Sequence, residues 1–361
     1  MIKVIIKREI INYLKNPIYY IGAILVLIGV YMSISPYLKI HYFSDESEMR
    51  TIDINNHAEI SDADIMDGYI PTTSEEQYKM GLAIISSTLV ENFNMSPKAS
   101  DEVIVKLKEN KMSILEIAAY MKLNYAFNSA EYYFYDVEMK KATLGEANHY
   151  IETALKQNTY TDYFSRKFAD YFGLYIIFYA ILIFAFLFTK DTKKDIYELL
   201  HTKPIKAGQY IIGKIMGGMT AMLLVIVLIT IIFDFLAMKH GMTAGFPVSF
   251  WDIWFGIILY VLPNLLMVIS VYTGVAILFK NPLPAIPALV LYMIYSNMGS
   301  VLEDGRFGYQ IRKLAILVRF PDIFFETTTP VQAVVNQMSL ITIALFIVAV
   351  SILLWKRRRI Y

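Results

Sequence analysis

Residues Ile215 to Phe233 read IMGGMTAMLLVIVLITIIF, nineteen consecutive residues without a formal charge, closed off by Lys214 and Asp234. Nineteen helical residues rise about 28 Å, close to the roughly 30 Å of hydrocarbon in a bilayer. A charge at the centre of such a helix costs about 2.5 to 3.5 kcal/mol on insertion, so long charge-free windows mark membrane spans. Working outward, five more windows qualify: Asn16 to Leu38, Tyr171 to Thr189, Ile253 to Phe279, Asn281 to Leu302, and Thr327 to Trp355. The composition agrees, since 56% of the 361 residues are hydrophobic and 14% aromatic, more apolar than soluble domains usually are.

The expected fold is therefore an all-α integral membrane protein with six transmembrane helices, at 16–38, 171–189, 215–237, 253–279, 281–302 and 336–355. The fifth window carries Pro282, Pro284 and Pro287, which predict an irregular start and a helix from about Ala288. With six spans both termini share a side. Segments 1–15, 190–214, Lys280 and the tail 356–361 hold 15 Lys/Arg against Glu9, Asp191, Asp195 and Glu198, whereas the other side holds 18 Lys/Arg against 28 Asp/Glu. Short basic segments belong in the cytoplasm, and Lys356-Arg357-Arg358-Arg359 anchors the C-terminus there. A cleavable signal peptide at the N-terminus is disfavoured, because the first window is long and Ser33-Ile34-Ser35-Pro36 is a poor cleavage site.

In segment 1–15, Ile2, Ile5, Ile6, Ile10 and Tyr13 recur at helical spacing while Arg8, Asn12 and Lys15 take the far side. That pattern predicts an amphipathic elbow helix in the cytoplasmic interface, in contact with membrane lipid and ended by Asn16-Pro17. Residues 39–170 are acidic and polar, and predict a mainly helical extracytoplasmic domain. Its helix signals are Ser74 followed by Glu76, Ser113 to Glu116, and Thr143 to Glu146. Its Tyr132-Tyr133-Phe134-Tyr135 cluster is expected to pack in a core or subunit contact rather than to hold a ligand. Tyr160, Tyr163, Phe164, Phe168, Tyr171 and Phe172 predict a helix running into the second span with an interfacial aromatic belt. Segment 303–335 is amphiphilic and broken by Pro321 and Pro330, which suggests short external helices.

The chemistry that is missing narrows the function. Cysteine is absent, which excludes disulfides, thiolate metal sites and cysteine nucleophiles. The five histidines, at 41, 57, 149, 201 and 240, lack metal-ligand spacing, so no metal site is expected. Net charge of +1 gives no footprint for nucleic acid. Gly208 to Lys214 has the spacing of a phosphate-binding loop, but Ile215 replaces the magnesium-ligating Ser/Thr and the stretch leads into a span. No cofactor and no catalytic residue are expected in the chain itself. No window holds an ionisable residue, which argues against an ion-coupled carrier. Asp234 and Asp252 read as solvated helix ends, and Pro263-Asn264 as a possible kink with an amide turned toward a translocation path.

Asp195-Ile196-Tyr197-Glu198-Leu199-Leu200-His201-Thr202-Lys203-Pro204-Ile205, followed by Tyr210-Ile211-Ile212-Gly213-Lys214, resembles the loop between the second and third spans of type-2 ATP-binding-cassette (ABC) exporter permeases. The elbow, six spans, internal termini and wide first external loop are similar to the subgroup with an ectodomain there. His201-Thr202-Lys203 departs from the commoner Leu/Ser/Thr-rich turn. The resemblance implies a permease subunit in the cell membrane, without its own ATPase site. It would export a peptide, lipid, drug-like or envelope compound as a homodimer or beside a similar permease. ATP and Mg would be bound by separate cytoplasmic ATPase subunits. Lys193, Lys194, Asp195, Tyr197, Glu198, Leu199, Leu200 and Pro204 would carry the coupling, with Ile6, Arg8 and Ile10 in the elbow. The residues themselves support docking, because a short helix with Tyr197, Leu199 and Leu200 apolar and its other positions charged suits a groove on a soluble partner. The competing reading is a membrane-anchored sensor or immunity protein that binds an extracellular peptide or envelope component without transport.

Overall fold

The computed structural model describes residues 1–52, 63–189, 191, 205–301 and 307–358, and most of its regular structure is helical. The chain forms two units, one of residues 1–38, 158–300 and 308–361, the other of residues 39–157 and 301–307. In chain order the first unit begins with α1 (Ile2–Leu14) and α2 (Pro17–Ile34). The second carries β1 (Tyr69–Pro71), α3 (Ser74–Glu91), α4 (Pro97–Glu109), α5 (Ile114–Tyr125), α6 (Tyr132–Tyr135), β2 (Met139–Lys141) and α7 (Leu144–Gln157). The first unit resumes with α8 (Tyr160–Phe184), α9 (Phe186–Thr189), α10 (Ala207–Ala244), α11 (Trp251–Gly256), α12 (Leu262–Phe279), α13 (Ala285–Asn297) and α14 (Val331–Arg358).

Among the described residues five stretches are long and apolar enough to cross a bilayer: Pro17–Lys39, Tyr160–Phe184, Ala207–Ala244, Trp251–Phe279 and Val331–Arg357. The fifth expected span, 281–302, yields only the 13 residues of α13, about 20 Å of helix. Pro284 is its N-cap and Pro287 falls in its first turn, where a missing amide has no intrahelical partner to lose. The helix therefore starts at Ala285 rather than near Ala288. The path of the chain is informative here. Tyr260 bonds Thr329 at one end, and at the other Gly274 lies against Ile347 and Ser351, so α12 and α14 are parallel neighbours. Helix α13, between them in sequence, packs on α8 and α12.

The centre of the first unit is α8, whose apolar stretch is 72% buried, against 22% for α2 and α14. Tyr160, Phe164, Phe168 and Phe172, spaced four apart on one face, stack at ring separations of 5.9, 6.5 and 4.9 Å. All four are fully buried, so these rings are core and not the interfacial belt their position suggested. Gly22 and Gly29 let α2 lie against α8. A Cβ on either would fall 2.2 Å from the Tyr179 ring or 2.7 Å from that of Tyr175. A π-helical turn at Ile257–Val261 precedes Pro263, and its extra residue makes room for a ring that would otherwise strike the previous turn.

Residues 309–330 do not form the expected short helices. They hold a single 3₁₀ turn, Phe324–Glu326, yet Ala315, Ile316, Leu317, Val318, Phe320 and Phe324 are buried. Backbone buried without regular structure needs partners from elsewhere. They come from side chains on the helices. Asp170 accepts from the Phe320 amide at 3.0 Å and pairs with Arg319. Lys167 donates to the carbonyls of Phe320 and Asp322, Arg166 to that of Thr327 at 2.8 Å, and Asn336 to that of Ala315 at 2.8 Å. Asp170 was expected to close the polar domain at 39–170, but the second unit stops at 157 and α8 carries Asp170 into the bundle, 2% exposed.

The second unit is helical around Leu82, Ile85, Leu89, Leu107, Ile117, Met121 and Phe134, with β1 and β2 antiparallel at its edge. Thr73, rather than Ser74, caps α3 in a reciprocal box with Glu76. Ser113 with Glu116 opens α5 the same way, and Thr143 with Glu146 opens α7. Of the aromatic cluster, Phe134 is core beneath Gly81, where a Cβ would stand 2.3 Å from the ring, while Tyr132 is exposed. Lys140 on β2 bridges Glu76 at 2.6 Å and Glu146 at 3.3 Å, joining two helix starts to the hairpin.

The hydrogen bond from Lys140, then the cap bonds at Thr73, hold the Glu76 carboxyl down at about 2, against an ordinary 4.5. A lowered carboxyl stabilises the folded unit fully above its unfolded value and ceases to do so as pH falls through the folded one. Lys140→Met should therefore make residues 39–157 of the intact chain open to pepsin at a higher pH than in the parent. Identical pH profiles for pepsin cleavage would contradict this.

Candidate functional site

Lys193, Lys194, Asp195, Tyr197, Glu198, Leu199, Leu200 and Pro204, expected to couple to a partner, lie outside the described residues, as do His201 and Lys203. The structure does describe what flanks them: Asp191 on one side, and Ile205 with the start of α10 on the other. Both flanks converge on Lys214.

Lys214, in the second turn of α10, is 3% exposed. Its ammonium lies 3.0 Å from the Glu9 carboxylate of α1 and is paired also with Asp191. Tyr210, one turn earlier, donates its hydroxyl to Asp191 at 2.7 Å and stacks on Trp355 of α14, ring centroids 4.5 Å apart. The Phe188 ring stands 5.4 Å from the same ammonium. Burial pushes the Glu9 carboxyl above its ordinary range, more than the Lys214 ammonium pulls it down. Residues 208–214 are thus the first turns of a helix with a committed lysine, a geometry that offers no cradle to a phosphate.

Two glycines let α1 come close enough for this pairing. A Cβ on Gly213 would stand 3.0 Å from that of Ile5, and one on Gly217 would stand 2.5 Å from that of Glu9. They are four residues apart, so they form one smooth stripe on α10. This changes which surface the helix at 1–15 covers. The face of α1 with Ile2, Ile5, Ile6, Ile10 and Tyr13 is at least half-buried along its length and includes the buried Glu9, so it meets α10 rather than lying open to lipid. Arg8 is exposed and Ile6 and Ile10 are half-buried. Glu9 was not singled out from the sequence. Its signal was a lone acid among basic residues on the apolar side of the helix.

Of the two acids expected to be solvated, Asp234 in the second half of α10 is 3% exposed, whereas Asp252 of α11 is half-buried and accepts from the Thr159 and Thr161 hydroxyls at 2.5 and 2.6 Å. Asn264, expected near a translocation path, lies fully buried in the bundle beside Pro263 and donates to the Tyr260 carbonyl at 2.6 Å. Among the described residues no group of three His, Asp or Glu is placed to hold a metal ion.

Comparison with protein families matches residues 3–356 to the ABC-2 family transporter protein model. Comparison with curated proteins and with solved structures gave no match.

Removing one partner of a buried ion cluster leaves the others uncompensated, a loss of about 3–5 kcal/mol. Lys214→Met should lower the unfolding temperature of the detergent-purified chain sharply, and adding Glu9→Gln and Asp191→Asn should recover most of the loss. Equal melting of Lys214→Met and the parent would show that the cluster bears no structural weight.

Proposed function

We propose, from the premise that the chain belongs to the ABC-2 family of transporter proteins, that it is the membrane subunit of an ATP-driven exporter. It acts as a homodimer or beside a similar permease, with two separate ABC-type ATPase subunits that bind ATP and Mg. It sits in the cell membrane with both termini in the cytoplasm, and α13 with its irregular shoulders is the fifth of six crossings. Segment 190–214 then faces the cytoplasm and docks on the ATPase through Tyr197, Leu199 and Leu200, flanked by the charges of Lys193, Lys194, Asp195 and Glu198. The α3–α7 unit faces outward, in the manner of the ectodomain subgroup. The cargo is a peptide, lipid, drug-like or envelope compound.

One observation carries this reading: Lys214 binds Asp191 from one flank of the docking segment while it also holds α1. A displacement of 192–204 is thereby passed to α1, to the end of α8 and α9, and to α10 together, as rigid-body gating requires. Helix α1 is then the elbow, a lever held by an ion cluster.

Leu199→Asp with Leu200→Asp should abolish copurification of the ATPase while the permease still elutes as a folded species. Undiminished copurification would refute the docking assignment.

A further inference from the structure

Residues 309–322, with Thr328, Pro330 and Gln332 at the start of α14, enclose a cavity of about 420 Å³. That volume falls within the roughly 300–1000 Å³ of small-ligand sites. Along α14 it lies about 34 Å from Trp355, at the end remote from the Lys214 cluster. Its wall from Val318 to Asp322 is fixed from behind by bonds already made. Lys167 holds the carbonyls of Phe320 and Asp322, while Asp170 holds the Phe320 amide and Nε of Arg319. One residue of the wall is left out of this network. The backbone N–H and C=O of Val318 make no hydrogen bond among the described residues, although Val318 is only 4% exposed. Its side chain packs with Tyr260, Phe320 and Ala333, which leaves its main chain to the cavity. A buried backbone without partners is costly, and the cavity is where a partner can enter.

The wall sets what that partner must carry. A residue with N–H and C=O both free can exchange two bonds with one residue of an extended chain, as paired strands do. Arg319 and Asp322 are the one cation and the one acid among the lining residues, so a charged ligand of either sign meets a wall without net charge. Thr328 and Gln332 are exposed and unbonded among the described residues, and add a hydroxyl and a carboxamide beside Ile311, Pro321 and Pro330. Donors, acceptors and small apolar surfaces in alternation complement a peptide. An acyl chain would leave the Val318 groups unpaired. We propose that this cavity binds a peptide segment through its main chain, paired with Val318 and steadied by Thr328 and Gln332. In the exporter reading the cavity stands at the outward end and the cargo is a peptide; that assignment rests on the reading, whereas the binding itself does not.

Hydrogen exchange in the full chain, held in lipid nanodiscs without the ATPase, tests the site in the parent sequence. In the free chain the Val318 amide should exchange roughly tenfold faster than that of Phe320, which Asp170 holds at 3.0 Å. N-acetyl-tetraalanine amide, which has peptide groups and no charge, should slow Val318 several-fold at millimolar concentration and leave Phe320 unchanged. Maltotriose and inorganic phosphate should slow neither. Equal exchange at the two amides in the free chain, or no slowing of Val318 by the peptide, would overturn the site. Equal slowing by maltotriose or phosphate would overturn the peptide assignment. Thiol labelling gives a second readout, since the chain has no cysteine. The peptide should slow the reaction of Gln332→Cys with hydroxyethyl methanethiosulfonate, and should not slow that of Leu345→Cys, at a site 57% exposed farther along α14. Equal slowing at both would mean that the peptide coats the bundle surface, and the site would be overturned. A protected Val318 in a chain that copurifies with no ATPase would count against the exporter alone. An ATPase complex whose Val318 stays unprotected would count against the peptide cavity alone.

Discussion

An ammonium withdrawn from water must be matched by negative charge at bonding distance, and the pairing of Lys214 with Glu9 and Asp191 is the constraint on which the rest of the bundle depends. It fixes where α1 crosses α10, and Gly213 and Gly217 exist at the crossing because a side chain on either would hold the charges apart. It fixes Asp191, and so the point at which the chain leaves α9. Through Tyr210 and its stack on Trp355 it also ties in the last turns of α14. Between Lys214 and Asp234 the chain then has no formal charge for nineteen residues. The same lysine closes the polar end of α10 and opens its apolar run.

Elsewhere in the unit a second set of buried charges solves a different problem. Residues 309–330 have few local bonds of their own, and Asp170, Lys167, Arg166 and Asn336 supply bonds to their backbone instead. That is how an irregular segment stays buried against helices. At its end Thr329 bonds Tyr260, and Gly274 lies against Ile347, so α14 runs parallel to α12.

What was legible in the sequence was local. Charge-free windows located the five long helices because insertion cost depends on each residue's own charge, and Pro284 and Pro287 foretold the weakness of the fifth expected span. Capping at Ser113 and Thr143 was readable for the same reason. What stayed hidden was the partner of each flanking charge. Asp234 read as a solvated helix end, Asp170 as the close of a polar domain and Lys214 as the entry to a span, because the partners of all three come from other parts of the chain: α11 for the first, Arg319 for the second, α1 for the third. The aromatic rings from Tyr160 to Phe172 were mistaken for a belt, since spacing by four suits a buried stack as well as a surface one. The face of α1 was apolar in sequence whether it met lipid or another helix, and only Glu9 distinguished the two.

The central claim is that α1 and the start of α10 move as one body when force arrives through residues 192–204. Spin labels on Lys7→Cys of α1 and Ile212→Cys of α10, both exposed, test it most directly, and the cysteine-free chain offers no competing thiol. The distance between the labels in the chain with its ATPase should be the same before ATP is added and when the complex is trapped with it, since the two helices never separate. A distance that changes by several Å on trapping would mean that α1 leaves α10 during the cycle, and the account would be wrong.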